Sequence, residues 1–121
     1  MKALNIALLL VLFLIPGQVM SKSNQANIYI IQLTGTPLAL LKSSDKSTVK
    51  KHTTALYNQR KLFIQQLEDQ LNRAINVVYE YDTNFHGIAA ELSPKEANQI
   101  SKLPDVIAVT PDKPQKLHVS H

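Results

Sequence analysis

The sequence predicts an α+β fold of the ferredoxin-like type: a βαββαβ sandwich with two helices on one face of a four-stranded antiparallel sheet. Three observations lead to this prediction. Four short segments rich in β-branched residues and two helical segments follow one another in the order β-α-β-β-α-β. The turn between the second and third strands is too short for a crossover, so these strands form an antiparallel hairpin. A chain of 121 residues, 45% hydrophobic and 18% charged, fits one globular domain.

Residues 1–21 are predicted to be a signal peptide that is not part of the fold. Lys2 gives a positive start, the unbroken apolar run Ile6–Ile15 follows, and Pro16 and Gly17 end it. A run of this length is too short to span a bilayer comfortably, because a spanning helix needs roughly 20 residues. The alternative interpretation is an uncleaved membrane anchor.

Signal cleavage is expected between Ser21 and Lys22, where small or β-branched side chains precede the bond. The protein is then secreted or periplasmic, and it has no association with a membrane after the signal is removed. Residues 22–27 are polar and are expected to form a disordered N-terminus. The folded domain is expected to span residues 28–112.

The first strand is predicted at Ile28–Leu33 (IYIIQL), which is apolar and rich in β-branched residues. Gly35 and Pro37 close it. The segment Thr36–Ser47 is rich in serine and lysine, so it is expected to be a loop.

The long helix is predicted over residues 47–74. Four apolar residues are spaced by seven, four and four positions, which places them on one helical face: Leu56, Phe63, Leu67 and Leu71. Ser47 or Thr48 can cap its first turn. The opposite side of the helix is polar.

The hairpin is predicted from two segments rich in strand-forming residues. Asn76–Tyr81 (NVVYEY) is the second strand, the turn covers residues 82–84, and Phe85–Leu92 (FHGIAAEL) is the third strand. Tyr79 and Tyr81 are interpreted as packing residues, as is Tyr29 in the first strand. His86 is expected at the surface.

The second helix has the clearest local signal in the chain. Ser93 is an N-cap, Pro94 stands at the first helical position, and Glu96 completes a capping box. The helix is expected to run to Leu103, because Pro104 stops it. The fourth strand follows at residues 106–109, and residues 113–121 form an extended C-terminal tail.

Composition excludes several classes of function. There is no cysteine, which rules out a disulfide framework and thiolate chemistry. The three glycines form no phosphate-binding motif, and a net charge of +4 spread along the chain predicts no binding to nucleic acid. His118 and His121 could share a metal only in a helical tail, so no metal and no cofactor are expected.

The second sheet face is left uncovered by the two predicted helices. It would carry Val78, Glu80, Ala89 and Glu91, or their neighbours one position out of register. An uncovered face of this kind is either solvated or receives a partner.

The segment Phe85–Asp112 (FHGIAAELSPKEANQISKLPDVIAVTPD) resembles the propeptides of subtilisin-type serine proteases, the peptidase inhibitor I9 family. The matching features are GxAAxLS, the helix EAxxI and then LPxVxxVxPD. Upstream, the YIIQL strand, the long helix and VxYxY follow in the same order. The resemblance covers about residues 28–118.

The resemblance implies an inhibitor or propeptide-like domain that is not an enzyme and whose partner is a subtilisin-like (S8) serine protease. The open sheet face would lie on two protease helices and contact them. Asp112 would cap the N-termini of those helices. Thr110 stands where many family members carry a second acid, so it brings a hydrogen-bond acceptor without charge.

The tail would then run into the substrate cleft as an added strand. The resemblance assigns this part to Gln115, Lys116, Leu117 and His118, with His118 last before the cleavage point. Gln115 would face a subsite that usually takes an apolar group. A domain of this family can also assist the folding of its protease, because it binds the native form.

Alternatives remain open from the sequence. The chain can be a free-standing inhibitor or a propeptide fragment of a longer precursor. It can also be a generic exported interaction domain of the same fold that inhibits nothing. The domain is expected to be a monomer when free.

Overall fold

The computed structural model describes residues 26–113, and these residues form the predicted α+β sandwich. The strands pair antiparallel in the order β2-β3-β1-β4, so β2 and β4 are the two edges. The elements are β1 (Asn27–Leu33), α1 (Lys46–Leu71), β2 (Val77–Tyr81), β3 (Gly87–Leu92), α2 (Pro94–Ile100) and β4 (Val106–Pro111). One turn of 3-10 helix, Leu38–Leu40, lies within the connection that the sequence predicts as irregular.

The helix α1 begins one position before the predicted cap. Asp45, and not Ser47 or Thr48, is the N-cap, and its carboxylate accepts a hydrogen bond from the main-chain N–H of Thr48 at 3.0 Å. The helix ends at Leu71 because Asn72 adopts a left-handed conformation with φ of 56°. The predicted end at residue 74 was therefore three residues too late.

The helix α2 confirms the capping box. The Ser93 hydroxyl accepts from the Glu96 main-chain N–H at 3.1 Å, and Glu96 accepts from the Ser93 N–H at 2.9 Å. This helix ends at Ile100, which is earlier than the predicted Leu103.

The core lies between one face of the sheet and the two helices. Its largest fully buried apolar side chains come from β1, α1, β3 and α2: Ile31, Leu33, Leu67, Ile88, Leu92 and Ile100. The same side of the sheet receives the buried Phe63 of α1. The opposite side of the sheet has no helix of the described chain over it.

Arg73 joins the end of α1 to the start of α2. Its guanidinium donates to both carboxylate oxygens of Glu96, at 2.9 and 2.6 Å, and to the main-chain oxygen of Glu91 at 3.1 Å. The hydrogen bond from Arg73 is the main reason why the pKa of the Glu96 carboxyl lies below its ordinary value. The capping box and the ion pair therefore share one carboxylate.

We expect the free energy of unfolding to fall when Glu96 is protonated. Because its pKa is lowered in the folded state, the stabilisation is present above the ordinary glutamate pKa of about 4.3 and is lost as pH falls through the folded value. Glu96→Gln should therefore cost on the order of 0.5–1 kcal/mol at pH 6, because the pair borders solvent, and less at pH 3. Urea denaturation at the two pH values measures this. An equal cost of Glu96→Gln at the two pH values would contradict this prediction. So would a cost no larger than that of Asp69→Asn, which removes an exposed carboxylate of α1.

Candidate functional site

The uncovered sheet face is ordered in rows that cross the strands. One row runs through Tyr79, Ala89, Ile30 and Thr110, which pair in turn across β2, β3, β1 and β4. The next row runs through Tyr81, Gly87, Gln32 and Ala108. Residues directly opposite in antiparallel strands project to the same side, and neither row includes a member of the core. We call this surface the open face.

Two of the four residues predicted for this face occupy it by register. Ala89 pairs with Ile30 and Tyr79, and Glu91 pairs with Ile28. Glu91 is half-buried, while Ala89 is only 2% exposed, because larger neighbours surround it. Val78 is exposed and has no partner, since the pairing of β2 with β3 shifts between Val77 and Tyr79.

The prediction for Glu80 was wrong, because this residue faces the helices. It pairs with Ile88, which is a core residue, and its carboxylate accepts a hydrogen bond from Arg60 Nε on α1 at 2.7 Å. Arg60 is only 5% exposed, and its Nη1 has no hydrogen-bond partner. Glu80 therefore balances a buried charge instead of facing a partner.

Removing the Glu80 charge should leave Arg60 buried without its counter-ion. We expect Glu80→Gln to lower the free energy of unfolding by about 2 kcal/mol, less than the ~3–5 kcal/mol of a fully buried pair, because the Glu80 side chain is 40% exposed. Urea denaturation measures it against Glu91→Gln, which removes the same charge from the other face. Equal losses in the two variants would show that the ion pair is not structural.

The sequence interpretation did not assign the aromatic residues of this face to a site. Tyr79 and Tyr81 have ring centroids 4.8 Å apart, and Tyr81 stacks on Phe85 at 4.6 Å. Tyr79 remains 62% exposed. We call these three residues the aromatic ladder. The spacing of two residues between the tyrosines of VVYEY indicates that they share one face of the strand. Only the cross-strand register decides whether that face meets the helices or is the open face.

Asp112, the residue predicted to cap protease helices, lies at the end of the open face away from the aromatic ladder. The main-chain N–H of Asp112 donates to the oxygen of Ile28 at 2.9 Å, which extends the pairing of β4 with β1 by one step. Its carboxylate takes part in no ion pair among the described residues, and both Asp112 and Thr110 are exposed. The aromatic ladder and the acid thus lie toward opposite ends of the face and on opposite edges of the sheet.

Six predicted residues lie outside the described range of 26–113. They are the tail residues Gln115, Lys116, Leu117 and His118 and the cleavage-site residues Ser21 and Lys22. Within that range, no group of three or more acidic or histidine side chains could hold a metal ion. The helices in the same range include none with the length and apolar character needed to cross a membrane.

The fold and the open face define a small α+β domain whose sheet is covered on one side only. The family model described as peptidase inhibitor I9 matches residues 28–118, well over half of the chain, and the chain belongs to this family. No solved structure matches the chain.

Several curated proteases of Arabidopsis thaliana are similar to this chain, and the chain spans less than a sixth of the length of each one named here. Subtilisin-like protease SBT5.4 is 44% identical over 45 residues, 37% of this chain and 6% of the relative. Subtilisin-like protease SBT4.14 is 29% identical over 118 residues, which cover 97% of this chain and 14% of the relative. A CO(2)-response secreted protease is 41% identical over 49 residues, 40% of this chain and 6% of its own length.

Proposed function

We propose that this chain is an exported proteinaceous inhibitor, or propeptide-like domain, that binds subtilisin-like serine proteases. The match of residues 28–118 to the peptidase inhibitor I9 family carries the proposal. The relatives support the choice of partner, because they are described as subtilisin-like proteases. Export is supported by the predicted signal peptide and by the relative that is described as secreted.

The open face is the proposed docking surface. It is uncovered by the described helices and offers exposed aromatic area at one end and a carboxylate at the other. Asp112 would place its charge at the N-termini of protease helices, where unpaired N–H groups favour an anion. Thr110 would add a neutral acceptor beside it.

The tail supplies the inhibitory contact in this proposal. Asp112 continues the pairing of β4 with β1 by one step. The residues assigned to the cleft, Gln115–His118, follow it closely in the sequence. An extended segment can add a strand to the protease cleft and place alternate side chains in its subsites. Such binding resembles a bound product, so the tail would occupy the cleft without rapid turnover.

A titration of residues 22–121 into subtilisin tests the proposal. We expect inhibition that is competitive with a chromogenic peptide substrate. Inhibition that fades as the protein is cut would identify a temporary, propeptide-like role. A folded protein that shows no inhibition at micromolar concentration, against subtilisin and a plant subtilisin-like protease alike, would contradict the proposal.

The aromatic ladder should contribute to affinity through the open face. We expect Tyr79→Ala to raise the inhibition constant about tenfold, because a large exposed aromatic side chain is a typical interface anchor. Tyr57→Ala is the matched control, since Tyr57 is 49% exposed but lies on α1, on the other side of the sheet. Equal inhibition constants for both variants and the parent would exclude the ladder from the interface.

A further inference from the structure

The positive charge of the domain is concentrated in one segment, contrary to the even spread expected from the sequence. Residues 42–61 carry six lysine and arginine side chains and a single acid, Asp45. The rest of the described range, residues 26–41 and 62–113, carries four basic and eight acidic side chains. The first half of α1 and the loop before it are therefore positive, while the remainder of the domain is negative.

The exposed lysines of α1 lie on the outer side of the helix, away from its buried stripe. At 3.6 residues per turn they fall within about 140° of the helix circumference, and a rise of 1.5 Å per residue spreads them over roughly 22 Å of its length. The stripe that contains Leu56 and Phe63 lies on the other side, against the sheet. We call these residues the lysine face: Lys46, Lys50, Lys51 and Lys61.

A shallow groove lies on the lysine face, at the start of α1. It is lined by Lys46, Ser47, Lys50, Lys51 and Thr54. Every lining side chain ends in an ammonium or a hydroxyl group, and no acid lines the groove. This set of groups matches a ligand that carries both negative charges and hydroxyl groups.

The lysine face lies where it costs stability to the isolated domain. The N-terminus of a helix carries a partial positive charge, which favours acids and disfavours lysines in the first turns. The first turn of α1 begins with Lys46 and contains no acidic residue, so the N-cap Asp45 is the one acid beside it. Neither ion pair among residues 26–113 involves a lysine. An external polyanion would offset both the helix dipole and the repulsion between the lysines.

We infer that the lysine face binds an acidic polysaccharide. A lipid bilayer is a poor match, because the apolar stripe of α1 is buried in the core and leaves the helix no apolar face to insert. The proposed export brings the chain to extracellular polyanions, and acidic polysaccharides are extended polyanions rich in hydroxyl groups. The choice of polysaccharide thus rests on the proposed export, whereas the match of charge is independent of the inhibitory role.

The lysine face and the open face lie on opposite sides of the sheet. The helix α1 covers the side that contains the core, and the lysines point away from that core. A polysaccharide bound to α1 would therefore hold the domain in the extracellular matrix and leave the open face free.

Calorimetric titration of residues 22–121 with polygalacturonate tests the inference without any protease, so its outcome is separate from that of the proposed function. We expect binding at about 50 mM salt that weakens at least about tenfold at about 200 mM, because binding releases counterions from the polyanion. Neutral dextran should not bind. Absence of binding to polygalacturonate at the lower salt concentration, or equal binding to dextran, would overturn the inference.

A triple variant locates the binding surface. Lys46→Gln, Lys50→Gln and Lys51→Gln together remove the three charges of the groove and should weaken binding at least about tenfold. The three side chains are exposed and glutamine is a good helix former, so the variant should remain folded, which urea denaturation checks.

The matched control removes the same charge elsewhere. Lys95→Gln, Lys102→Gln and Lys113→Gln replace three exposed lysines outside residues 42–61 and should change the affinity less than about threefold. Equal losses in the two triple variants would show attraction to net charge alone and would overturn the inference. Tighter binding to phosphatidylserine vesicles or to single-stranded DNA than to polygalacturonate, at equal charge concentration, would also overturn it.

Discussion

Removing Gln115–His121 should abolish competitive inhibition of the protease and leave the domain folded. All four strands and both helices lie within residues 26–113, so the deletion removes no described element. The open face remains and should still bind the protease surface. We therefore expect calorimetry to detect binding of the truncated domain to the protease. Its inhibition constant, measured with a peptide substrate, should rise more than about a hundredfold, or ~2.7 kcal/mol.

The matched control removes residues 22–25, which lie outside the described range at the other end of the chain. This control should inhibit like the parent. Full competitive inhibition by the chain without Gln115–His121 would show that the folded domain itself blocks the cleft. Loss of both binding and inhibition would show that the open face adds little affinity.

Gly87→Val should prevent the domain from folding cooperatively. A Cβ at Gly87 would stand 2.2 Å from the main-chain oxygen of Ile31, which is far inside contact distance. That oxygen belongs to β1, one of the two interior strands, which pairs with β3 on one side and β4 on the other, so it cannot move without disturbing three strands. We expect Gly87→Ala to cost at least about 3 kcal/mol and Gly87→Val to cost more, a large share of the stability of a small domain.

Circular dichroism and urea denaturation measure this loss. Thr110→Ala is the control, because it also changes a strand residue but an exposed one, with an expected effect within about 0.5 kcal/mol. A stable Gly87→Ala domain, with an unfolding midpoint near that of the control, would mean that the strands separate more easily than their close approach implies.

Local chemistry determined the order of elements in this protein. Ser93, Pro94 and Glu96 specify the start of α2 through hydrogen bonds within one turn, so their roles can be predicted without the rest of the fold. The apolar spacing of α1 likewise predicted its buried stripe, which contains Leu56, Phe63 and Leu67. The length of the hairpin turn determined that β2 and β3 are antiparallel, and the six elements together determined the fold class.

The tertiary structure decided which face each residue of β2 occupies. Alternation in VVYEY separates Glu80 from Tyr79 and Tyr81 but does not say which set meets the helices. The pairing of Tyr79 with Ala89 and of Glu80 with Ile88 settles it, and the irregularity at Val78 is part of that register. For this reason Glu80 faces the helices and contacts Arg60, while Tyr79 and Tyr81 of the aromatic ladder lie on the open face.

The burial of His86 was also decided in three dimensions. Its two carbonyl partners are 52 and 30 residues away in the sequence, and no local pattern brings Thr34 and Leu56 to its ring. The sequence alone determined elements whose signals act within a few residues: caps, apolar spacing and turn length. The tertiary structure determined the open face, the ion pair and the burial of His86, because each depends on groups that meet only when distant segments pack.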